Sequence, residues 1–243
     1  TWGALASQNA SQQCQLRWWE QGCTFPFACR NRAFLFYTKK LMWPILVLPL
    51  VLVLHDYLKS PIDRLYFQTP MRPLVGMRNT LIDLIDWCSE YRTKDYPGLW
   101  LVKLHYEKIR EEFKEVSKSA KKHLFHELDP WFDKNTNYYC YKVEDFPVLN
   151  GLIKQIPCIC HDTAMFAVMD GPMSIAPHRA ETNLLLRYHI TIEGGGDCTL
   201  YTDSGIHEHR EGEEFLFDHA RIHSVDKRGT QRRVVLILDV KRF

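Results

Sequence analysis

The stretch that decides the fold runs from residue 165 to residue 240 and contains five short apolar runs: MFAVM (165–169), LLLRYHITI (184–192), CTLYT (198–202), EFLFD (214–218) and RVVLILDV (233–240). Turn-forming clusters separate them: Asp170-Gly171-Pro172, Gly194-Gly195-Gly196, Asp203-Ser204-Gly205 and Arg228-Gly229. Several short strands at such spacing imply a β-sandwich or jelly roll. The strand signal begins near Tyr138. Upstream, LWLVKLHYEKIREEFKEVSKSAKKHL (99–124) places Leu101, Leu104, Ile109 and Phe113 at roughly helical spacing with charges between them, which predicts an amphipathic helix. The expected architecture is mainly β with packed helices, a double-stranded β-helix (jelly-roll) core preceded by an N-terminal hydrophobic segment.

Working outward, RNTLIDLIDWCSEY (78–91) carries an apolar stripe at Leu81, Ile82, Leu84, Ile85 and Trp87, a short helix inside a connector spanning 59–96. Residues 41–54, LMWPILVLPLVLVL, are unbroken apolar. As a helix they cover only about 21 Å against a hydrocarbon core of about 30 Å, and Pro44 and Pro49 argue against a straight helix. Arg30, Arg32, Lys39 and Lys40 precede the run, with no acid between Glu20 and Asp56. That flank fits a signal-anchor within 33–58, with the N-terminus cytosolic and the following domain lumenal or otherwise non-cytosolic. The competing reading is a buried core segment. Residues 1–32, rich in Gln, Asn, Ser and Cys, show no period and read as poorly ordered.

Composition narrows the function classes. The net charge is only +2 over 243 residues, so nothing favours a nucleic-acid partner. Eight cysteines include no C-x-x-C pair, which argues against a zinc ribbon or a thioredoxin-type site; Cys158-x-Cys160 reads as two small apolar residues in a strand or turn.

Chemistry concentrates in the last third. His178 follows Pro177, His223 comes 45 residues later, and Arg233 opens the last apolar run ten residues after that. Arg187 and His189 lie two apart and share one strand face, while Leu186, Tyr188, Ile190 and Ile192 take the other. An Fe(II) oxygenase needs neutral imidazoles on the metal with positions left open. It also needs a fixed cation for the far carboxylate of its co-substrate, for which arginine's planar fork is best suited.

On these residues PHRAETNLLLRYHITI (177–192) resembles the Pro-His, Asn and Arg-x-His motif of the aspartyl/asparaginyl β-hydroxylase family. EGEEFLFDHARIHSV (211–225) and RRVVLILDV (232–240) resemble its later segments. LVKLHYEKIREEFKEV and FPVLNGLIKQIPCICHDTAMFAVM resemble upstream parts, notably of the lipid-hydroxylating bacterial branch, so the likeness covers about 97–243. It implies a dioxygenase using Fe(II), 2-oxoglutarate and O₂. Its substrate would be Asp, Asn or another residue of a protein, or an acyl chain of a lipid, with succinate and CO₂ as co-products. His178 and His223 would be the iron ligands. Arg233 would grip the distal carboxylate of 2-oxoglutarate, and Arg187, His189 and Met169 would line its pocket. Family members often carry an N-terminal membrane anchor, which supports membrane association through 41–54.

Three departures stand: Ala167 replaces the family's serine, His219 the second Asp of Phe-Asp-Asp, and Ala180-Glu181 the Gly-Pro turn. They leave open a catalytically degenerate, membrane-tethered binding module. A further alternative is a cupin-like metal set, His207, His209 and Glu213. Asp218 reads as a turn or supporting residue rather than a ligand.

A standard facial triad places a carboxylate two residues after its first histidine; here that residue is Ala180, and Glu181 alternates to the other face. His178→Ala and His223→Ala should each abolish metal binding and turnover, whereas Glu181→Ala should leave metal binding nearly intact. Metal content measured after desalting checks this; iron loss in Glu181→Ala equal to that of a histidine variant would make the site a triad.

Overall fold

The computed structural model describes residues 33–59, 66–86, 90–129 and 131–243; the expected disorder of 1–32, and Trp87, lie outside them. The chain divides into two units, residues 1–45 and 46–243. The described part of the first is the opening of helix α1 (Ala33–Leu58). α1 continues through both Pro44 and Pro49. Among the described residues no helix is long and apolar enough to cross a membrane.

The second unit is built on two antiparallel sheets. Strands β1 (His123–Leu124), β2 (Tyr138–Lys142), β3 (Ile159–Met169), β5 (Leu185–Gly194), β8 (Glu214–Phe217) and β10 (Arg233–Lys241) form one, in the order β1-β2-β3-β10-β5-β8. The other takes β4 (Met173–His178), β6 (Cys198–Thr202), β7 (Gly205–Glu208) and β9 (His223–Lys227), in the order β4-β9-β6-β7. From β3 onward the chain crosses between the sheets at every step except the β6–β7 hairpin, which is the winding of a jelly roll. All five apolar runs read from the sequence are strands.

The alternation along each strand of the large sheet produces two cores. Its outer face packs under helices α3 (Trp100–Leu104), α4 (Tyr106–Val116) and α6 (Pro147–Ile153). There Phe113 meets the rings of Phe166, Tyr141 and Phe146 at 4.8, 5.9 and 6.0 Å between centroids. The Glu112 carboxylate of α4 accepts from the amides of Val148 and Leu149 at 2.7 and 2.9 Å, capping the start of α6. The inner face, with Ala167, Met169, Val235, Ile237 and Phe217, packs against Cys198, Leu200 and Val225 of the small sheet.

The expected single helix over 99–124 is two, divided at His105, where ψ opens to 15°, and it ends at Val116. Beyond that point SKSAKK offers almost no apolar side chain to bury, and the chain turns to pair β1 with β2.

The connector holds α2 (Arg72–Ile85), whose burial inverts the expected stripe. Leu81, Leu84 and Ile85 are exposed, and Ile82 alone of those described is buried. The buried face is polar. Asn79 donates to the Glu181 carbonyl at 2.7 Å, Asn183 donates to the Asn79 carbonyl at 2.9 Å, and the Thr80 hydroxyl donates to the Leu52 carbonyl at 2.9 Å. Gly76 permits the approach, since a Cβ there would meet the Tyr66 hydroxyl at 2.0 Å. Buried Asp56, near the end of α1, accepts from Arg72 of α2 at 3.1 Å and from both terminal nitrogens of Arg179, the residue after His178, at 3.1 and 3.0 Å.

Removing one member of a buried ionic cluster strands the others. Asp56→Ala should therefore destabilise the chain by about 3–5 kcal/mol in denaturant melts. Lys118→Ala, which breaks an exposed pair with Glu115, should change stability by less than about 1 kcal/mol.

Candidate functional site

His178 ends β4 and His223 begins β9, and the antiparallel register sets them opposite each other. Pro177 has no amide to give the ladder, and the register shifts between Ile175 and His178. The two imidazole centroids lie 4.2 Å apart. Each ring spends Nδ1 on the carbonyl two residues back, His178 on Ala176 and His223 on Arg221, both at 2.9 Å. A carbonyl only accepts, so each Nδ1 carries the proton and each Nε2 keeps its lone pair, the arrangement of a metal-ligating histidine. Trp131 and Phe132 lie over His178 at 4.8 and 6.3 Å, and Phe217 lies 5.3 Å from His223. Burial among these rings lowers the pKa of His178, and burial together with the His178 charge lowers that of His223 to about 3. Both rings are held neutral, the form that binds metal.

Arg233 lies on the same inter-sheet interior. It opens β10, opposite Met169 of β3 and Gly194 of β5. The glycine triplet is needed here: Gly195 has φ +69° and a Cβ on it would lie 2.4 Å from the Arg233 Cβ. Arg233 is 2% exposed, yet no carboxylate among the described residues pairs with it. Burial lowers its pKa, but guanidinium stays protonated even so. Its Nη2 donates to His209 Nε2 at 3.0 Å, and its Nε has no partner.

His189 is buried with neither ring nitrogen hydrogen-bonded. Its ring lies 6.0 Å from that of His209 and 5.2 Å from Phe217. A continuous row therefore leads from Arg233 through His209, His189 and Phe217 to His223. Arg187 shares the interior face but is spent on Asp239, Nε to Oδ1 at 3.0 Å, so its charge is already met. Met169 is fully buried opposite Arg233, and Ala167 lies opposite Val235.

The cupin-like set does not converge. His209 has both nitrogens engaged, on Arg233 and on Cys198 Sγ at 3.6 Å. His207 stacks on Phe215 at 4.7 Å, and Glu213 faces Arg210. Among the described residues no group of three or more His, Cys, Asp or Glu could hold a metal. Asp218 is a brace: it accepts from Arg242 and, at 3.0 Å, from the Ala220 amide, shaping the loop before His223. Glu181 is exposed, with its carbonyl held by Asn79. His219 is buried, its Nδ1 has no partner, and its carbonyl accepts from the Ala180 amide at 2.8 Å. Beside these loops a cavity of about 560 Å³ is lined by Lys59, Asp83, Arg179, Asp203, Asp218, Arg221 and Ile222, among others.

Sequence reasoning missed Asp56, Asn79 and Trp131, and placed His209 in a cupin-like set rather than behind Arg233. Only Arg179, adjacent to His178, offered a signal, as a charge beside a candidate ligand.

A buried charge with no acid is a stability cost accepted for another purpose. Arg233→Met should keep or raise the melting temperature of the ligand-free chain. A drop of many degrees would mean that Arg233 is structural.

The comparisons agree with this picture in part. Solved structures to which the chain shows similarity include the DMSP lyase DddQ from Ruegeria pomeroyi, at 12% identity over 57% of this chain and 64% of that one, with a TM-score of 0.40. A cupin-superfamily sugar phosphate isomerase from Silicibacter pomeroyi matches at 9% identity over 51% and 73%, TM-score 0.34. KdgF from Halomonas sp. matches at 11% over 46% and 87%, TM-score 0.31. No curated protein matches. The aspartyl/asparaginyl β-hydroxylase family model matches residues 103–243, more than half of the chain and all of both sheets, and the chain belongs to that family.

Proposed function

We propose that the chain is an Fe(II)- and 2-oxoglutarate-dependent hydroxylase. The observation that carries this reading is a buried guanidinium without an acid, on the same interior as two neutral imidazoles with unspent Nε2 lone pairs. The residues present fit both groups. His178 and His223 would hold the iron. Arg233 would receive the distal carboxylate of 2-oxoglutarate, and His189 supplies uncommitted nitrogens beside it. Bound iron would couple the oxidative decarboxylation of 2-oxoglutarate by O₂, which gives succinate and CO₂, to insertion of the other oxygen atom of O₂ into a C–H bond of the substrate, giving C–OH. The protein's part is to orient. Trp131, Phe132 and Phe217 pack against the histidine rings, and the Nδ1 bonds fix both rings. Ala167 brings no hydroxyl, and Arg187 is committed to Asp239, so co-substrate contact rests on Arg233 more than the resemblance implies.

The cavity of about 560 Å³ beside the loops that carry the histidines is the candidate entrance for substrate. Its mixed charges support a polar protein side chain such as Asp or Asn. The exposed Leu48, Leu50, Val51 and Leu54 of α1 and Leu84 and Ile85 of α2 support membrane association and, as the alternative, a lipid acyl chain. The basic residues before the apolar run 41–54 support a non-cytosolic site.

The test is anaerobic purification with Fe(II) and 2-oxoglutarate, followed by O₂-dependent succinate release. Arg233→Ala should raise the 2-oxoglutarate KM by about a hundredfold, the loss of two charge-assisted hydrogen bonds, while iron affinity changes little. Equal loss of both would count against the role. Fe(II) and 2-oxoglutarate bound without any succinate release would identify a degenerate binding module.

A further inference from the structure

The interior around Arg233 holds more unspent hydrogen-bonding capacity than the guanidinium alone. Thr191 lies on β5 two residues beyond His189, on the same interior face. It is opposite Val235 of β10, which in turn is opposite Ala167 of β3, so the three form one cross-strand row. Arg233 and Met169 form the next interior row. Thr191 is 0% exposed and its hydroxyl has no partner. A hydroxyl can rotate to suit any acceptor within reach, so an orphaned one in a closed interior marks a missing acceptor.

The neighbouring groups point to the chemistry of that acceptor. The Nε of Arg233 is also without a partner. His209 fixes the other side of the guanidinium: arginine only donates, so His209 Nε2 accepts at 3.0 Å and its Nδ1 carries the proton toward Cys198 Sγ at 3.6 Å. The guanidinium is therefore pinned from behind with donor capacity left over. Donors left over on a cation and on a hydroxyl call for an acceptor-only anion, and a carboxylate is the smallest group that meets both. Ala167, in the same row, brings no hydroxyl to compete.

We infer that Thr191 binds co-substrate: its hydroxyl donates to the same ligand carboxylate that Arg233 receives, with His209 as the positioning residue behind the guanidinium. This rests on the reading of the site as a 2-oxoglutarate site and deepens it.

The experiment measures 2-oxoglutarate binding to the full chain loaded with Mn(II) in the absence of oxygen, by calorimetry and by the ligand-induced shift in melting temperature. Thr191→Val keeps the side chain's shape and removes the hydroxyl. The expected result is a Kd raised about tenfold to a hundredfold, the usual weight of a hydrogen bond to a charged group. Mn(II) affinity should be unchanged and the ligand-free melting temperature no lower than that of the parent. Thr191→Ser should restore most of the affinity. Unchanged affinity in Thr191→Val overturns the inference and leaves the reading of the site standing. Failure of the parent chain to bind 2-oxoglutarate overturns both. If Thr191→Val does not fold, Thr191→Ala against Thr191→Ser carries the same comparison, and equal affinities in that pair overturn it.

Discussion

One buried positive charge without a negative partner organises the interior of this protein. Arg233 is 2% exposed and leans on a neutral histidine rather than a carboxylate. Burying an unpaired ion is among the most unfavourable things a fold can do, so the surroundings have to be rigid enough to hold it. They are. Arg233 opens the strand that pairs with both β3 and β5, and Gly195 lets the backbone close over it with no room for a side chain.

That arrangement is possible because the large sheet has two unequal faces. The outer face, under α3, α4 and α6, is apolar and aromatic around Phe113. It carries the burial that holds the domain together. The inner face is then free to keep polar atoms unpaired at His189, Thr191 and Arg233. The same strands serve both, since β5 sends Leu186, Tyr188 and Ile190 outward and Arg187, His189 and Thr191 inward. Stability and site are separated by one residue of alternation, so a slip of one residue in register would exchange them.

This alternation is also why so much was legible before the structure. Arg187-x-His189 on one face and Leu186, Tyr188, Ile190 and Ile192 on the other follow from period two alone, and five of the ten strands, β3, β5, β6, β8 and β10, fall where the apolar runs and turn clusters put them. The histidine pair was legible by type and spacing, but its geometry was not: that His178 meets His223 depends on the pairing of β4 with β9. The ion pair of Arg187 was hidden for a similar reason, because its partner Asp239 lies 52 residues away on a neighbouring strand. α2 failed in the opposite sense. Its apolar stripe is exposed, and it is held through Asn79, Thr80 and Arg72. Side-chain to backbone bonds of that kind have no periodicity, so a hydrophobic pattern pointed to the wrong face.

The polar seam under α2 changes the meaning of the hydrophobic segment. Read alone, 33–58 is an anchor with the folded domain beginning well after it. Its last turns are instead part of that domain: Leu52 is buried, its carbonyl receives Thr80, and Asp56 gathers Arg72 and Arg179. Arg179 is bonded in sequence to His178, and Asn79 and Asn183 hold the loop that follows. Asp56, near the end of the apolar helix, is thus one ion pair and one peptide bond from a candidate metal ligand. The last turns of α1, the start of α2 and the His178 loop therefore share one buried ionic cluster.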